Sequence, residues 1–440
     1  MEKTASYITL GCKLNYAETA TYERGFLSAG YTTVDWTEKA DLYIINTCSV
    51  TGQSDRKSRN IIRKIHKLAP EAAIVVTGCY AQLRREEIRA IEGVSLVIGA
   101  DEKGNLVRDT LDYIDGVRMD LDRKGPETLS ECAREASSLT FAAYSGGEER
   151  TRAFLKVQDG CDNFCAYCTV PFARGRSRSI SIEEAVGNAR RIASSGVKEI
   201  VITGVNTGDF GRNTGESFLD LLKALNNVEG IERYRISSIE PNLLTDEMVD
   251  WIASGTKFQP HFHIPLQSGS DTILKDVGRH YDTEFFAHKI EYVRNRMDPV
   301  PGETNPDGTL KPKVFFGIDV IAGLPGETDE LFMETYNFLK DRIKPAFIHI
   351  FPYSKRPGTR SAARKDQVQD CIKTKRVEML EALCDSLHRD FIEANRGVKE
   401  TVLFEDDCKN GVMGGYTGNY IRVERPWDPT LAGKLTEVIL

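Results

Sequence analysis

The chain has 440 residues, 40% hydrophobic and 28% charged, with a net charge of −7, the balance of a globular protein of two or three domains. No stretch reaches the ~18 consecutive apolar residues of a membrane span, and no apolar core follows a basic start, so the expected compartment is the cytoplasm. Ten cysteines are not expected to form disulfides there, and their grouping points to metal or redox chemistry.

In chain order, SYITLG, DLYIINT, AIVVTG and SLVIGA are short β-branched runs of the kind found in buried parallel strands. Between them, YAETATYERGFLSAG and SDRKSRNIIRKIHKLAP have helical length, the second stopped at Pro70. Residues 1–121 therefore read as a doubly wound α/β domain. Its second helix carries Arg56, Lys57, Arg59, Arg63, Lys64, His66 and Lys67, either a solvated face or a phosphate-binding patch despite the acidic total. Residues 122–150 are polar and aperiodic, as in a linker.

A second βα series fills 151–366, with strands AFLKVQD, KEIVIT, RYRISS, HFHIP, VFFGIDV and FIHIF. Six units in one direction give a partial (β/α)6 barrel of parallel strands, not a closed eightfold one. DPVPGETNPDGTLKPK at 298–313 interrupts it as an exposed loop insertion. A connecting helix over 367–396 carries Lys373, Lys375 and Arg376. Residues 397–440 alternate like short strands between Gly and Asn turns, as in a small β-barrel. The fold class is α/β and multidomain.

GCDNFCAYCTVPFARG sets Cys161, Cys165 and Cys168 just after the first barrel strand, at the rim where barrel active sites form. Three thiolates can hold three irons of a cubane and leave the fourth iron open to a substrate. A structural zinc site normally closes with a fourth Cys or His; no second CxxC occurs, and zinc stays the lesser alternative. Cys12, Cys48 and Cys79 each follow a strand directly, in TLGC, INTC and VTGC. In a parallel sheet those positions share the carboxyl edge where ligands bind, so the three could hold a second open-sited cluster. Cys132, Cys371, Cys384 and Cys408 are scattered and read as ordinary thiols.

Other rim loops offer Thr203, Gly204 and Asn206, then Ser238 and Glu240, then Gln267, with IAGLPGET (321–328) as a backbone approach. Each alone is an ordinary capped turn; together they are candidate cofactor contacts. Arg174, Arg176 and Arg178 follow the cysteine loop and suit either phosphates or local acids.

The cysteine triplet, with Tyr167 before its last member, resembles the radical S-adenosylmethionine (radical-SAM) signature. TLGCKLNYAET, INTCSVT, VTGCYAQ, CDNFCAYCTVPFARG and FPYSKRPGTRSA together resemble the radical-SAM methylthiotransferase family over nearly the whole chain. GYTGNYIRV makes the C-terminal domain similar to a TRAM domain, an RNA-binding β-barrel. Lys13 in GCKLN resembles the MtaB subfamily, where isopentenyladenosine enzymes typically have GCQMN.

The resemblance implies two 4Fe–4S clusters, an auxiliary one on Cys12, Cys48 and Cys79 and a radical-generating one on Cys161, Cys165 and Cys168. S-adenosylmethionine would bind the open iron of the second, with Tyr167 near its adenine. The implied reaction is 2-methylthiolation of N6-threonylcarbamoyladenosine at position 37 of tRNA, or alternatively of isopentenyladenosine tRNA or a ribosomal-protein aspartate. Expected partners are the anticodon stem-loop and an electron donor such as a reductase or a flavodoxin-like protein. The sulfur donor is open, no membrane is involved, and a monomer is the default. Two clusters serving one nucleotide require the N-terminal domain to pack over the barrel mouth. The alternative of another class is a non-catalytic zinc-containing RNA-binding protein.

Overall fold

The computed structural model describes residues 3–100, 102–116, 131, 143–145, 151–298 and 312–440. Its N-terminal sheet contains β1 (Lys3–Thr9), β2 (Tyr31–Thr33), β3 (Leu42–Thr47), β4 (Ala73–Gly78) and β5 (Val94–Val97), in the order β2-β1-β3-β4-β5. All neighbouring strands are parallel. This is a doubly wound sheet whose topological switch lies between β1 and β3. The sequence reading missed β2, because only Tyr31 of its three residues is buried. β3 is buried along its whole length. Tyr43 and Ile45 face one apolar cluster and Leu42 and Ile44 the other, so its hydrophobic run is continuous.

Three helices leave the carboxyl edge of this sheet: α1 (Lys13–Ser28) after β1, α2 (Gly52–Leu68) after β3 and α3 (Cys79–Leu83) after β4. Thr51 caps α2, its hydroxyl accepting from Ser54 N at 3.2 Å, and Ile62 and Ile65 are its buried apolar face.

The second unit begins with β6 (Ala143–Tyr144), antiparallel to β7 (Arg152–Lys156). The segment read as a linker therefore contains a short strand; most of 122–150 lies outside the described residues. The AFLKVQD run splits, because β8 (Gln158–Asp159) turns away to pair with β9 (Arg178–Ser179). The barrel continues through β10 (Glu199–Thr203), β11 (Arg233–Ile236), β12 (His261–Gln267), β13 (Phe315–Ala322) and β14 (Phe347–Pro352). β7, β10 and β11 form one parallel set and β12, β13 and β14 another. A parallel bridge between Ser238 and His263 joins them. Six parallel strands make an open barrel, as read from the sequence.

Leu155, Ile200, Ile202, Tyr234, Phe262 and Ile318 lie in the apolar cluster shared with the surrounding helices. Strand alternation then turns Phe154, Lys156, Glu199, Arg235, His263 and Asp319 inward. The open side is covered by α1: Tyr16 and Phe154 rings stand 6.4 Å apart, and Arg24 Nη2 donates to Tyr144 O at 2.8 Å. Of the insertion, 299–311 lies outside the described residues; its ends are held by Asp298, whose Oδ1 accepts from Lys313 N at 2.9 Å and Val314 N at 2.8 Å.

The connecting helix runs Asp370–Ala394. Beyond it, β15 (Lys399–Lys409), β16 (Val412–Thr417), β17 (Arg422–Pro426) and β18 (Leu435–Ile439) form an antiparallel half-barrel in the order β17-β16-β15-β18. GYTGNYIRV is two strands around a turn at Gly418–Asn419–Tyr420. That turn plugs the barrel floor. Tyr420 lies 4.6 Å from the His261 ring, and Arg235 donates to Thr417 O and Gly418 O, both at 2.7 Å.

Candidate functional site: two cysteine triads and a shared wall

Cys12, Cys48 and Cys79 converge at the carboxyl edge of the N-terminal sheet because β1, β3 and β4 are adjacent and parallel. Glycines make the turns possible. Gly11 has φ +102°, and a Cβ there would lie 2.9 Å from Cys48 Sγ; Gly78 has φ +97°, and a Cβ there would strike Thr47 O at 2.3 Å. Any other residue at either position would push a cysteine off the edge. Cys12 stands at the N-cap position of α1 without making a capping bond, its sulfur donating to Asn15 Oδ1 at 3.8 Å. Burial, then the neighbouring Cys79, pushes the Cys48 thiol up to about 11. Cys79 is also pushed up, chiefly by burial.

Cys161, Cys165 and Cys168 follow β8 in the loop at the barrel rim. Burial pushes the Cys161 thiol up to about 12, and Cys168 rises too, with Cys165 adding to both. Buried thiols that resist ionisation one at a time become thiolates together only when cationic metal neutralises them. Among the described residues neither set of three sulfurs closes within 4.8 Å all round. Tetrahedral zinc at its usual Zn–S length needs sulfurs about 3.8 Å apart, so the larger cubane is the better guest for both triads.

The two triads share a wall. The helix Val170–Arg174, which starts two residues after Cys168, packs on α3, with Cys79, Leu83 and Ala173 in one apolar cluster beside Phe172. The N-terminal domain thus sits over the barrel mouth, as two clusters serving one substrate require. It is fastened there by Arg356, whose Nη2 donates to Ser49 Oγ at 2.9 Å and to Asp55 Oδ2 at 2.6 Å. Gly52 N donates to Ser354 Oγ at 3.1 Å. Deeper in, Glu18 Oε1 meets Lys103 Nζ at 3.2 Å, Lys156 Nζ at 2.8 Å and Arg174 Nη1 at 3.2 Å. Asp159 joins the network through Lys156 at 2.6 Å and Arg174 at 2.9 Å. Arg174 also donates to Asn15, three residues from Cys12.

Between these parts lies a cavity of about 310 Å³. All three rim cysteines line it, with Val50 and Thr51 from the segment after Cys48. Of the residues read from sequence, Tyr167, Asn206, Ser238, Glu240 and Gln267 also line it; Thr203 and Gly204 do not. Thr203 is the fully buried end of β10, and Gly204 is pressed against Gln158, whose Oε1 would lie 2.8 Å from an added Cβ. Gln267 holds φ +72° at an irregular pairing with β13, backbone strain of a kind that clusters at functional sites. Tyr167 packs with Tyr353 and Ile321, an apolar shelf beside the cysteines.

The sequence reading missed Arg279. Its Nη1 lies 3.3 Å from Cys165 Sγ and its Nη2 2.5 Å from Glu240 Oε2, so Glu240 is partly committed to holding this arginine. It missed Asp319 as well, which lines the cavity from β13. The only signal was position: GRHY (278–281) follows a rim helix, and FGIDV has one polar residue in an apolar strand.

Several of the cations singled out in the sequence are structural. Arg174 belongs to the buried network, and Arg178 lies 3.6 Å from Asp159. Arg376 is buried and bound to Glu327 and Asp329, each at 2.7 Å. Lys373 is buried beneath Gly323. Exposed cations remain on α2, where Arg56, Lys57, Arg63, Lys64 and Lys67 face solvent. Thr51, Gln53, Arg56, Lys57, Asn60 and Lys64 line a groove that starts at the cavity.

Comparison with known proteins agrees with this layout. Residues 4–99 match the model described as Uncharacterized protein family UPF0004, and residues 155–339 match the Radical SAM superfamily. The threonylcarbamoyladenosine tRNA methylthiotransferase MtaB of Bacillus subtilis is 40% identical over 99% of this chain and 93% of its own length. Its Aquifex aeolicus counterpart is 36% identical over 99% of both. The tRNA-2-methylthio-N(6)-dimethylallyladenosine synthase of Wolinella succinogenes is 32% identical over 100% of this chain and 96% of its own. Among solved structures, the radical S-adenosylmethionine methyltransferase TsrM of Kitasatospora setae shares the fold, with TM-score 0.56, 14% identity, and 82% of this chain and 77% of that one covered. No helix among the described residues is long and apolar enough to cross a membrane. With the N-terminal sheet domain and the barrel each matched, and relatives 40% and 36% identical over nearly the whole chain, the zinc-only alternative falls away: the chain belongs to the radical-SAM methylthiotransferase family.

Proposed function

We propose that this chain converts N6-threonylcarbamoyladenosine at position 37 of tRNA to its 2-methylthio derivative, working with S-adenosylmethionine and two 4Fe–4S clusters. The observation that carries the reading is the shared wall, which packs the helix after the rim triad against Cys79 and Leu83 of α3, while Val50 and Thr51 after Cys48 reach the cavity that the rim triad lines. Identities of 40% and 36% to the Bacillus subtilis and Aquifex aeolicus threonylcarbamoyladenosine enzymes, against 32% to the Wolinella succinogenes dimethylallyladenosine one, favour that base.

Cys161, Cys165 and Cys168 would hold the cluster that engages S-adenosylmethionine, and Cys12, Cys48 and Cys79 the auxiliary cluster. When bound, these groups supply the radical chemistry and the methylated sulfur by which the adenine C2–H becomes C2–S–CH3. The chain contributes position and enclosure. Tyr167 and Tyr353 offer the adenosine moiety an apolar shelf, and Asn206, Ser238 and Gln267 offer polar contacts around it. Arg279, fixed by Glu240, aims a hydrogen bond at the Cys165 sulfur and so orients it. The N-terminal domain closes the mouth and keeps water from a reactive centre. A base must be splayed out of the anticodon loop to enter so enclosed a chamber. A one-electron donor such as a reductase or flavodoxin-like protein completes the system.

The basic groove along α2 is the surface we assign to the anticodon stem-loop backbone, since phosphate contacts give register without reading sequence. Reversing Arg56 and Lys57 to Glu is expected to weaken stem-loop binding and to lower the slope of log affinity against log salt by about one unit per lost phosphate contact. Fluorescence anisotropy across a salt series measures both.

The direct test is an anaerobic reaction of the reconstituted protein with S-adenosylmethionine, a strong reductant and tRNA containing threonylcarbamoyladenosine. Digestion and mass spectrometry should reveal the 2-methylthio nucleoside. Its absence, with product appearing on dimethylallyladenosine tRNA instead, would overturn the substrate. Cys48→Ala is expected to keep reductive cleavage of S-adenosylmethionine and lose methylthio transfer. Full product from that variant would remove the N-terminal triad from sulfur delivery.

A further inference from the structure

Exposed apolar side chains scattered over a surface are ordinary and call for no account. Two in this chain differ by their place. Val50, 55% exposed, and Phe351, 42% exposed, both line the cavity, and neither joins an apolar cluster among the described residues. The other large exposed ones, such as Leu27, Phe285 and Met379, do not line it. Val50 comes from the loop after Cys48 and Phe351 from the end of β14. Each domain therefore puts one apolar side chain where the cavity opens to solvent.

The backbone beneath both is fastened. Phe351 pairs with Ile321 in the β13–β14 register, and Tyr353 N, just beyond it, donates to Ala322 O at 2.8 Å. The Val50 loop is tied to the same rim through Gly52 and Ser354 and through Asp55 and Arg356. Thr51, next to Val50, lines both the cavity and the basic groove of α2. The apolar pair thus stands where a groove suited to phosphates opens into an enclosed chamber. A nucleic-acid loop needs such a place when one base goes in and its neighbours stay out. Flipping a base breaks its stacking on both sides, and a neighbour that settles on an aromatic face recovers part of the loss whatever its identity.

We propose that Phe351, with Val50 on the other domain's side of the opening, is a stacking ledge for the nucleobase adjacent to the one that enters the cavity. The proposal rests on the tRNA reading above and adds the contact that keeps the loop unstacked. Phe351 supplies the flat π-face, and Val50 extends the apolar surface toward the groove. The cations of α2 fix the strand by its phosphates, and the ledge holds a base by its face, so the two contacts answer differently to salt.

The test measures binding of the reconstituted protein to anticodon stem-loops by fluorescence anisotropy across a salt series. One loop is complete, one is abasic just before position 37 and one is abasic just after it. Phe351→Ala is expected to raise Kd for the complete loop about tenfold and to leave the salt slope unchanged, because a stacked base releases no counterions. Phe351→Trp keeps an aromatic face and is expected to bind like the unaltered protein. One abasic loop, the one that lacks the base held on the ledge, is expected to bind the unaltered protein about tenfold more weakly and to bind Phe351→Ala no worse. The abasic loops probe the unaltered protein, so the outcome does not hang on how a variant folds. An unchanged Kd for Phe351→Ala overturns the ledge and leaves the tRNA reading standing. A Phe351→Ala penalty that persists undiminished on both abasic loops overturns it too, by assigning the ring to the entering base or to S-adenosylmethionine. An unaltered protein that binds no stem-loop overturns both.

Discussion

Cys165→Ala is expected to abolish reductive cleavage of S-adenosylmethionine, down to the uncatalysed background and so on the order of 10⁶-fold or more below the intact enzyme. The loss should be chemical, not structural. The side chain is small and buried, and the charge beside it stays balanced because Arg279 keeps Glu240 at 2.5 Å. With one thiolate of three gone, the rim cluster has too few ligands, while Cys12, Cys48 and Cys79 are untouched in another domain. The variant should therefore hold about half the iron of the intact protein, three thiolates sufficing for the remaining cluster. Anaerobic 5′-deoxyadenosine formation and iron per chain measure the two parts. Residual cleavage would detach Cys165 from the site, and complete loss of iron would show that the triads load as one.

The second large effect is on stability. Glu18→Ala removes the carboxylate that meets Lys103, Lys156 and Arg174, all buried. Burial alone would raise the Glu18 carboxyl, but Lys103, Lys156 and Arg174 together hold it far below its ordinary 4.5. Removing one member of such a network strands the rest, at a cost of about 3–5 kcal/mol. Because the folded value lies below the unfolded one, this stabilisation is complete above pH 4.5 and is lost as pH falls through the folded value. Thermal melting and limited proteolysis should find the N-terminal domain released first in Glu18→Ala. Unchanged melting would mean that the apolar wall between α3 and the helix Val170–Arg174 suffices to dock it.

The parts of this site that could be read from sequence were those whose geometry is local or follows from strand order. Cys12, Cys48 and Cys79 were readable because a cysteine just after a parallel strand can only stand at one edge, and adjacent strands bring such edges together. The rim triplet was readable from spacing, and the six barrel strands from their apolar runs. The missing parts are pairings across long stretches of chain. Arg279 finds Cys165 114 positions away, and Arg356 finds Asp55 301 positions away. Nothing in a run of arginines says which will meet a buried acid. Arg174 and Arg376 therefore looked like surface cations and are internal, while Arg56 and Lys57 looked the same and are exposed. Likewise nothing in GYTGNY announces that Tyr420 stands against the His261 ring or that Arg235 bonds the carbonyls of Thr417 and Gly418.

The ion network also has a consequence for the order of synthesis. Residues 3–100 leave the ribosome before any barrel strand exists, and domains made first fold first. The three cysteines of the N-terminal sheet can therefore gather, and be offered iron and sulfide, while Cys161 is still unmade. Glu18 then has Lys103 alone as a partner and remains wetted by solvent. Only when β7 and the helix Val170–Arg174 arrive do Lys156 and Arg174 seal it from water. Completion of the barrel thus buries the ion network behind the auxiliary triad, while Cys12 itself stays exposed in the finished fold.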